Sequence, residues 1–288
     1  MNRIVKSLVV TAMVTLPFSA ALAQEANVQK LADDVYAINL MGYTSLVVIG
    51  DEDVLITETA NPFRADVLTG EIAKLTDKPV GKIVLSHEHF DHTGGTEIFK
   101  GAEIIAQENV RAVANLDPLG MFPDKIDQTF DANMDIDMGT TLVRLHHFGA
   151  ADGVANTIVQ LPEEKIVAIA DMYRDGGLTP GVFLTDTNLL GNRKALNAVA
   201  SWDIEHALNA HSTSTDPASL VATAGFLNDL YDEVQPQIIE MLKDPGHLVP
   251  GIMELSETLV LPEYKDWKNY GDLPLYVQKM SFAIMHGG

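Results

Sequence analysis

Apolar positions follow two alternating rhythms along this chain. Residues 35–40, 45–49 and 54–56 are short β-rich runs parted by glycine and acidic turn residues. The period then changes. Across residues 63–75, Val67, Leu68, Ile72 and Leu75 recur at helical spacing behind an Asn61–Pro62 start. Residues 83–85 predict a buried strand, followed by a histidine-rich segment, a Gly94–Gly95 turn and a short helix. Residues 104–106 predict a strand and residues 108–115 a helix. The Asp-rich stretch 116–139 reads as an irregular surface loop, either a flap over a substrate or a plain connection. Strands are predicted at 140–146, 157–161 and 165–170, then a turn-rich loop at 176–188. Residues 189–200 predict a helix with Leu189, Leu190, Leu196 and Val199 on one stripe, residues 205–211 a histidine-bearing turn, and residues 217–242 a long helix. Strands and helices recur in both halves, which argues for mixed α/β layers.

The 288 residues are 47% hydrophobic, which excludes a disordered chain. No composition break divides residues 30–240, and residues 24–240 are read as one domain, with 241–288 a C-terminal extension packed on it. Residues 1–23 read as a secretory signal: Arg3 and Lys6 lead an apolar run at 8–18, and Ala21-Leu22-Ala23 fits a cleavage site. That run is shorter than the roughly 20 residues needed to span a bilayer, so no stable membrane insertion is expected. A periplasmic product is expected instead. Forty acidic residues against 19 basic give a net charge of −21, which argues against nucleic-acid partners and leaves a small-molecule substrate. The absence of cysteine removes thiol nucleophiles and thiolate metal sites.

Chemistry concentrates in His87-Glu88-His89-Phe90-Asp91-His92, where three of nine histidines and an aspartate follow a buried strand. Neutral imidazole is the commonest transition-metal ligand, and carboxylate is its hard partner. In an extended stretch His87, His89 and Asp91 would point one way, and a turn would carry His92 to a second ion. Glu88 would point away from them, as a supporting or solvent-facing group.

His-x-His-x-Asp-His after a hydrophobic strand resembles the signature of the metallo-β-lactamase fold superfamily, and the likeness runs in order through residues 30–215. It implies an α/β fold, a four-layer αββα sandwich of two mixed β-sheets flanked by helices. It also implies two divalent metal ions at one edge, zinc first, with iron or manganese as alternatives. Carried over by position, the metal set is His87, His89, Asp91, His92, Asp152, Asp171 and His211. Three positions depart from the pattern: Asp152 stands where the family has a histidine, and Ala170 and Ala210 replace glycines. His147, or less readily His146, is the competing donor in place of Asp152. Asp91 and Tyr173 are the candidate catalytic groups, Tyr173 as a donor to a developing oxyanion. With no cysteine ligand, the Asp-bridged branch is left, which includes glyoxalase II, lactonases, sulfatases and iron oxidoreductases. The resemblance thus implies an exported hydrolase using a metal-bound hydroxide on an ester, lactone, amide or thioester. The alternatives are an iron-dependent oxidoreductase, or a non-catalytic periplasmic metal- or ligand-binding protein.

Overall fold

Strand side chains alternate between two faces, and here both faces are buried. The computed structural model describes residues 25–287; the signal expected at residues 1–23 lies outside them. β1 (Asn27–Ala32), β2 (Val35–Leu40), β3 (Tyr43–Ile49), β4 (Val54–Thr57), β5 (Val80–Val84), β6 (Glu103–Gln107) and β7 (Gln128–Phe130) form one sheet in that spatial order. β8 (Asn133–Asp137), β9 (Leu142–His146), β10 (Ile158–Leu161), β11 (Ile166–Ala168) and β12 (His206–Leu208) form a second, ordered β12-β11-β10-β9-β8. Both are mixed. β4 through β7 run parallel, as do β11 and β12, and the other neighbours are antiparallel. The helices are α1 (Pro62–Ile72), α2 (Phe90–Thr93), α3 (Val110–Val113), α4 (Leu189–Ala200), α5 (Ala218–Met241), α6 (Leu248–Thr258) and α7 (Leu273–His286).

The alternation sorts side chains into three apolar layers. Leu46 and Val48 of β3 meet Val143, Leu145, Val159 and Leu161 between the sheets. Val47 and Ile49 face outward with Ile56 and Ile83, onto Ala65, Leu68 and Ile72 of α1. The outer face of the second sheet buries Ile158, Val167 and Ala207 against α4, α5 and α7. The result is the expected four-layer αββα sandwich of two mixed sheets.

Four stretches differ from the sequence reading. Residues 116–139 are not one loop, for β7 and β8 lie inside them. Both are edge strands. In β8 the sequence Asn-Met-Asp-Ile-Asp puts carboxylates on the open face, a usual protection for an edge and easily taken for a loop. β1, polar and at an edge, and the three-residue β12 carry too little apolar pattern to be seen. In the tail, where no helix was foreseen, α6 and α7 pack on α5. Phe226 of α5, fully buried, sits edge-on to Tyr264 and Tyr276, with ring centroids 5.1 and 5.5 Å away.

The chain leaves β4, β5, β11 and β12 along one rim. Two cross-sheet bonds close it: Thr44 N–H donates to Ala210 O at 2.7 Å, and Thr157 N–H to Ser86 O at 2.6 Å. No helix among the described residues is long and apolar enough to cross a membrane.

Phe226→Ala is expected to cost about 3–5 kcal/mol, read as a lower urea midpoint at unchanged slope. An unmoved midpoint would mean that the aromatic tail contributes nothing to the cooperative core.

Candidate metal centre

The rim gathers donors from four connections. His87 and His89 follow β5, and Asp91 and His92 belong to the single turn of α2. The expected extended run is therefore broken. His87 and His89 group with Asp152 and Asp171, whereas Asp91 groups with His92 and His211. Asp171 reaches both groups: its Oδ2 lies 3.0 Å from His92 Nε2 and its Oδ1 3.2 Å from His211 Nε2. Asp152 Oδ2 lies 3.6 Å from His89 Nδ1 and 3.8 Å from His87 Nε2. A tetrahedral ion with bonds of about 2.0–2.1 Å sets its donors roughly 3.3–3.4 Å apart, within the spread seen here.

Two further observations fit a cation. His87 Nε2, His92 Nε2 and Asp171 Oδ1 are buried without an aligned hydrogen bond, a costly arrangement unless a ligand compensates it. Each imidazole is also held from behind through its other nitrogen. His87 Nδ1 pairs with Ser86 Oγ at 3.0 Å and His89 Nε2 with Asp186 at 2.8 Å. His92 Nδ1 pairs with Glu58 Oε2 at 2.6 Å, and His211 Nδ1 with the Gly42 carbonyl at 3.0 Å. Such partners fix the tautomer that leaves the inward nitrogen free to bind metal.

Charge within the cluster is strongly coupled. Burial and the Asp171 charge raise Asp152 to about 7. Burial alone would raise Asp171 too, but the His211 and His92 rings close against it hold it well below the usual carboxylate range. Burial depresses His92, yet the carboxylates of Glu58 and Asp171 outweigh it and keep the ring protonated far above its ordinary value. His87, buried and faced by His92 and His89, is neutral.

Asp152, not His147, stands at the first group. His147 Nδ1 turns to the Asn156 carbonyl at 2.8 Å, and His146 bonds Asn133 and Gln160. Glu88 borders the cleft but is not solvent-facing. It is buried, and its carboxylate accepts the Val154 and Ala155 N–H groups at 2.5 and 2.9 Å. Gly153 makes this clasp possible: its φ is +115°, and a Cβ there would sit 2.7 Å from Glu88 Oε1.

Tyr173 does not reach the open site. It is buried in the apolar layer with Leu178, Leu184 and Phe226. Tyr43 stands there instead, its hydroxyl donating to Asp91 Oδ2 at 3.2 Å and its ring 4.8 Å from His211. Burial and the Asp91 charge push Tyr43 up to about 12. Sequence reasoning missed Tyr43, Glu58 and Arg64. Arg64, wholly buried, donates to the carbonyls of Leu40, Tyr43 and Glu58 and to Ser45 Oγ. Burial lowers it to about 10, and it fastens the backbone beneath both Tyr43 and Glu58. Glu58 (φ +54°), Ala60 (φ +67°) and Asp171 (φ +59°) hold left-handed backbone without being glycine, strain of a kind that clusters at functional sites.

A cleft of about 1040 Å³ opens over the cluster, with Tyr43, His89, Asp91, Asp171 and His211 in its floor.

Comparison with known proteins agrees with this architecture. Residues 38–172 match the family described as the metallo-beta-lactamase superfamily. A curated relative, 2,4-dinitroanisole O-demethylase subunit beta of Nocardioides sp. (strain JS1661), is 24% identical over 217 residues, spanning 74% of this chain and 67% of that protein. A metallo-beta-lactamase structure from Pontibacter korlensis superposes with a TM-score of 0.61 at 20% identity, over 71% of this chain and all of that one. One from Erythrobacter litoralis, with beta mercaptoethanol in its active site, gives 0.60 at 20% identity, over 72% and 97%.

Neutralising the carboxylate behind His92 should loosen a bound ion. Glu58→Gln is expected to weaken Zn²⁺ affinity about 10–100-fold in competition against a chelating dye. Ions must also displace the protons of Asp152 and His92. Apparent Zn²⁺ affinity should therefore fall as pH drops through about 7, with the raised His92 extending the dependence upward. Affinity independent of pH would remove Asp152 and His92 from the donor set.

Proposed function

We propose that this chain, whose residues 38–172 match the metallo-beta-lactamase superfamily and whose fold is that of solved metallo-beta-lactamases, is a metal-dependent hydrolase of small esters, lactones, thioesters or amides. The observation that carries this reading is the pair of donor groups joined by Asp171 in the floor of an open cleft. His87, His89 and Asp152 would hold one cation, and Asp91, His92 and His211 would hold the other. Divalent cations there supply Lewis acidity toward a carbonyl oxygen and lower the pKa of water from 15.7 to about 7.

The chain's own groups do the rest. Glu58, Asp186, Ser86 and the Gly42 carbonyl orient the imidazoles so that one nitrogen of each faces inward. Tyr43 keeps its proton at neutral pH and donates it as a hydrogen bond, to Asp91 or to a substrate oxygen beside it. This is the part expected of Tyr173. Asp91, the most exposed donor, borders the cleft and is placed to accept a proton from the reacting group. We assign zinc as the working metal and, from the signal at residues 1–23, the periplasm as the working compartment.

A second reading is an iron-dependent oxidoreductase in the same cage. It rests on Asp152, which gives the first position two imidazoles and carboxylates, a set that suits non-haem iron. The Nocardioides relative, by name an O-demethylase subunit, is consistent with chemistry beyond acyl hydrolysis.

Elemental analysis of protein purified without added metal, joined to turnover assays on uncharged esters, lactones, thioesters and amides, separates the two. Zinc with oxygen-independent turnover is expected; iron with oxygen-dependent turnover would select the second reading. His89→Ala should lose metal and turnover together, and full occupancy with full turnover would refute its place. Asp152→His should bind zinc more tightly and hydrolyse faster, restoring the family's donor. A variant unchanged in both would show that Asp152 does not set the properties of the site.

A further inference from the structure

Above the donors, the cleft walls are apolar and unusually bare. In its lining Leu119 is 67% exposed, and Val182 and Phe183, from a separate segment, are 74% and 61% exposed. Scattered surface leucines need no explanation, but exposed apolar groups lining one cleft mark a binding surface. Both segments are also held from behind, so their exposure is built into the fold.

In the first, the Asp117 carboxylate accepts the N–H groups of Leu119, Gly120 and Phe122 at 2.8, 3.0 and 2.6 Å. Phe122 then packs edge-on against Phe90, with ring centroids 6.4 Å apart, beside the ligands of α2. In the second, the tail supplies the supports. Asp272 accepts Gly181 N–H at 2.8 Å, Tyr276 OH donates to Thr179 O at 2.9 Å, and Lys279 Nζ donates to Thr185 O at 2.7 Å. Gly181 fits close over the tail, where a Cβ would lie 2.3 Å from Leu275 Cδ1. The same segment ends in Asp186 and Thr187, bonded to His89 and Asp152.

We infer that the cleft takes substrates bearing an aryl or medium-length alkyl group, gripped between Leu119 and the Val182–Phe183 pair while the reacting carbonyl lies over the donors. This specificity rests on the hydrolase reading of the centre. The jaws set selectivity by removing apolar substrate surface from water, a gain that grows with substrate size. The C-terminal helix, through Asp272, Tyr276 and Lys279, fixes where one jaw stands.

The test uses two readouts on the full-length protein. One is kcat/KM for uncharged phenylacetyl, hexanoyl and acetyl esters of one alcohol. The other is calorimetric binding of acetophenone and 2-octanone, uncharged ketones that cannot be hydrolysed. The wild type should prefer the larger acyl groups and bind both ketones. Leu119→Ser and Phe183→Ser should each lower that preference and weaken ketone binding by about tenfold. Val260→Ser removes an equally exposed apolar side chain outside the cleft and should change neither. Thermal melts confirm that all three fold. If no ester turns over, the hydrolase reading fails, yet the ketone contrast between Phe183→Ser and Val260→Ser still decides the jaws. Equal binding by wild type and both jaw variants overturns the inference, whatever the esters do.

Discussion

Imidazole nitrogens and carboxylate oxygens are turned inward against one another at the rim, and this arrangement governs the rest of the molecule. Buried polar atoms without partners are unfavourable by several kcal/mol when nothing compensates them. Here His87 Nε2, His92 Nε2 and Asp171 Oδ1 are all so placed. A divalent cation is the natural compensation, for it accepts lone pairs that no proton could satisfy together. Much of the surrounding structure then serves to stop these groups from rotating into ordinary hydrogen bonds.

That service falls to groups one layer out. Glu58 holds His92 while its own carbonyl is held by Arg64 and Ser45. Arg64 spans from α1 to the β2–β3 turn, so the position of one imidazole is fixed by contacts on three elements. Glu88 does the same for the opposite wall by capping the amides that follow Asp152. Cross-sheet bonds at Thr44 and Thr157 keep the two sheets from separating where the donors meet. The strained residues Glu58 and Asp171 lie inside this network, which over-determines conformations that neither would adopt alone.

Of the strands that carry the centre, β4, β5 and β11 were legible in the sequence because they read as apolar runs, whereas the three-residue β12 was not. The donor residues were legible because three histidines and an aspartate crowd into six positions and the remaining ligands follow in order. Their grouping was not. It depends on α2 being a helical turn, and His87-Glu88-His89-Phe90-Asp91-His92 has no periodicity that settles helix against strand. Asp152 was weighed against His147 by alignment; in the structure Asp152 joins the first candidate group while His147 turns to the Asn156 carbonyl. Edge strands escaped notice because their polar faces imitate loops. Tyr43 and Arg64 escaped because one tyrosine after a glycine, or one arginine in a helix, gives no hint of burial. Tyr173 misled for the opposite reason: closeness in sequence to Asp171 was read as closeness to the cleft, whereas its side chain turns into the apolar layer.

Residues 176–188 form one wall of the cleft and also bond two of the candidate donors, Asp186 to His89 and Thr187 to Asp152. The wall is therefore not an exchangeable cassette. Any lineage, or any engineer, that swaps it to admit a different molecule alters the electron-donating power of two ligands in the same stroke. What the cleft admits and how those two candidate donors are held become one pleiotropic trait, inherited together unless Asp186 and Thr187 are kept.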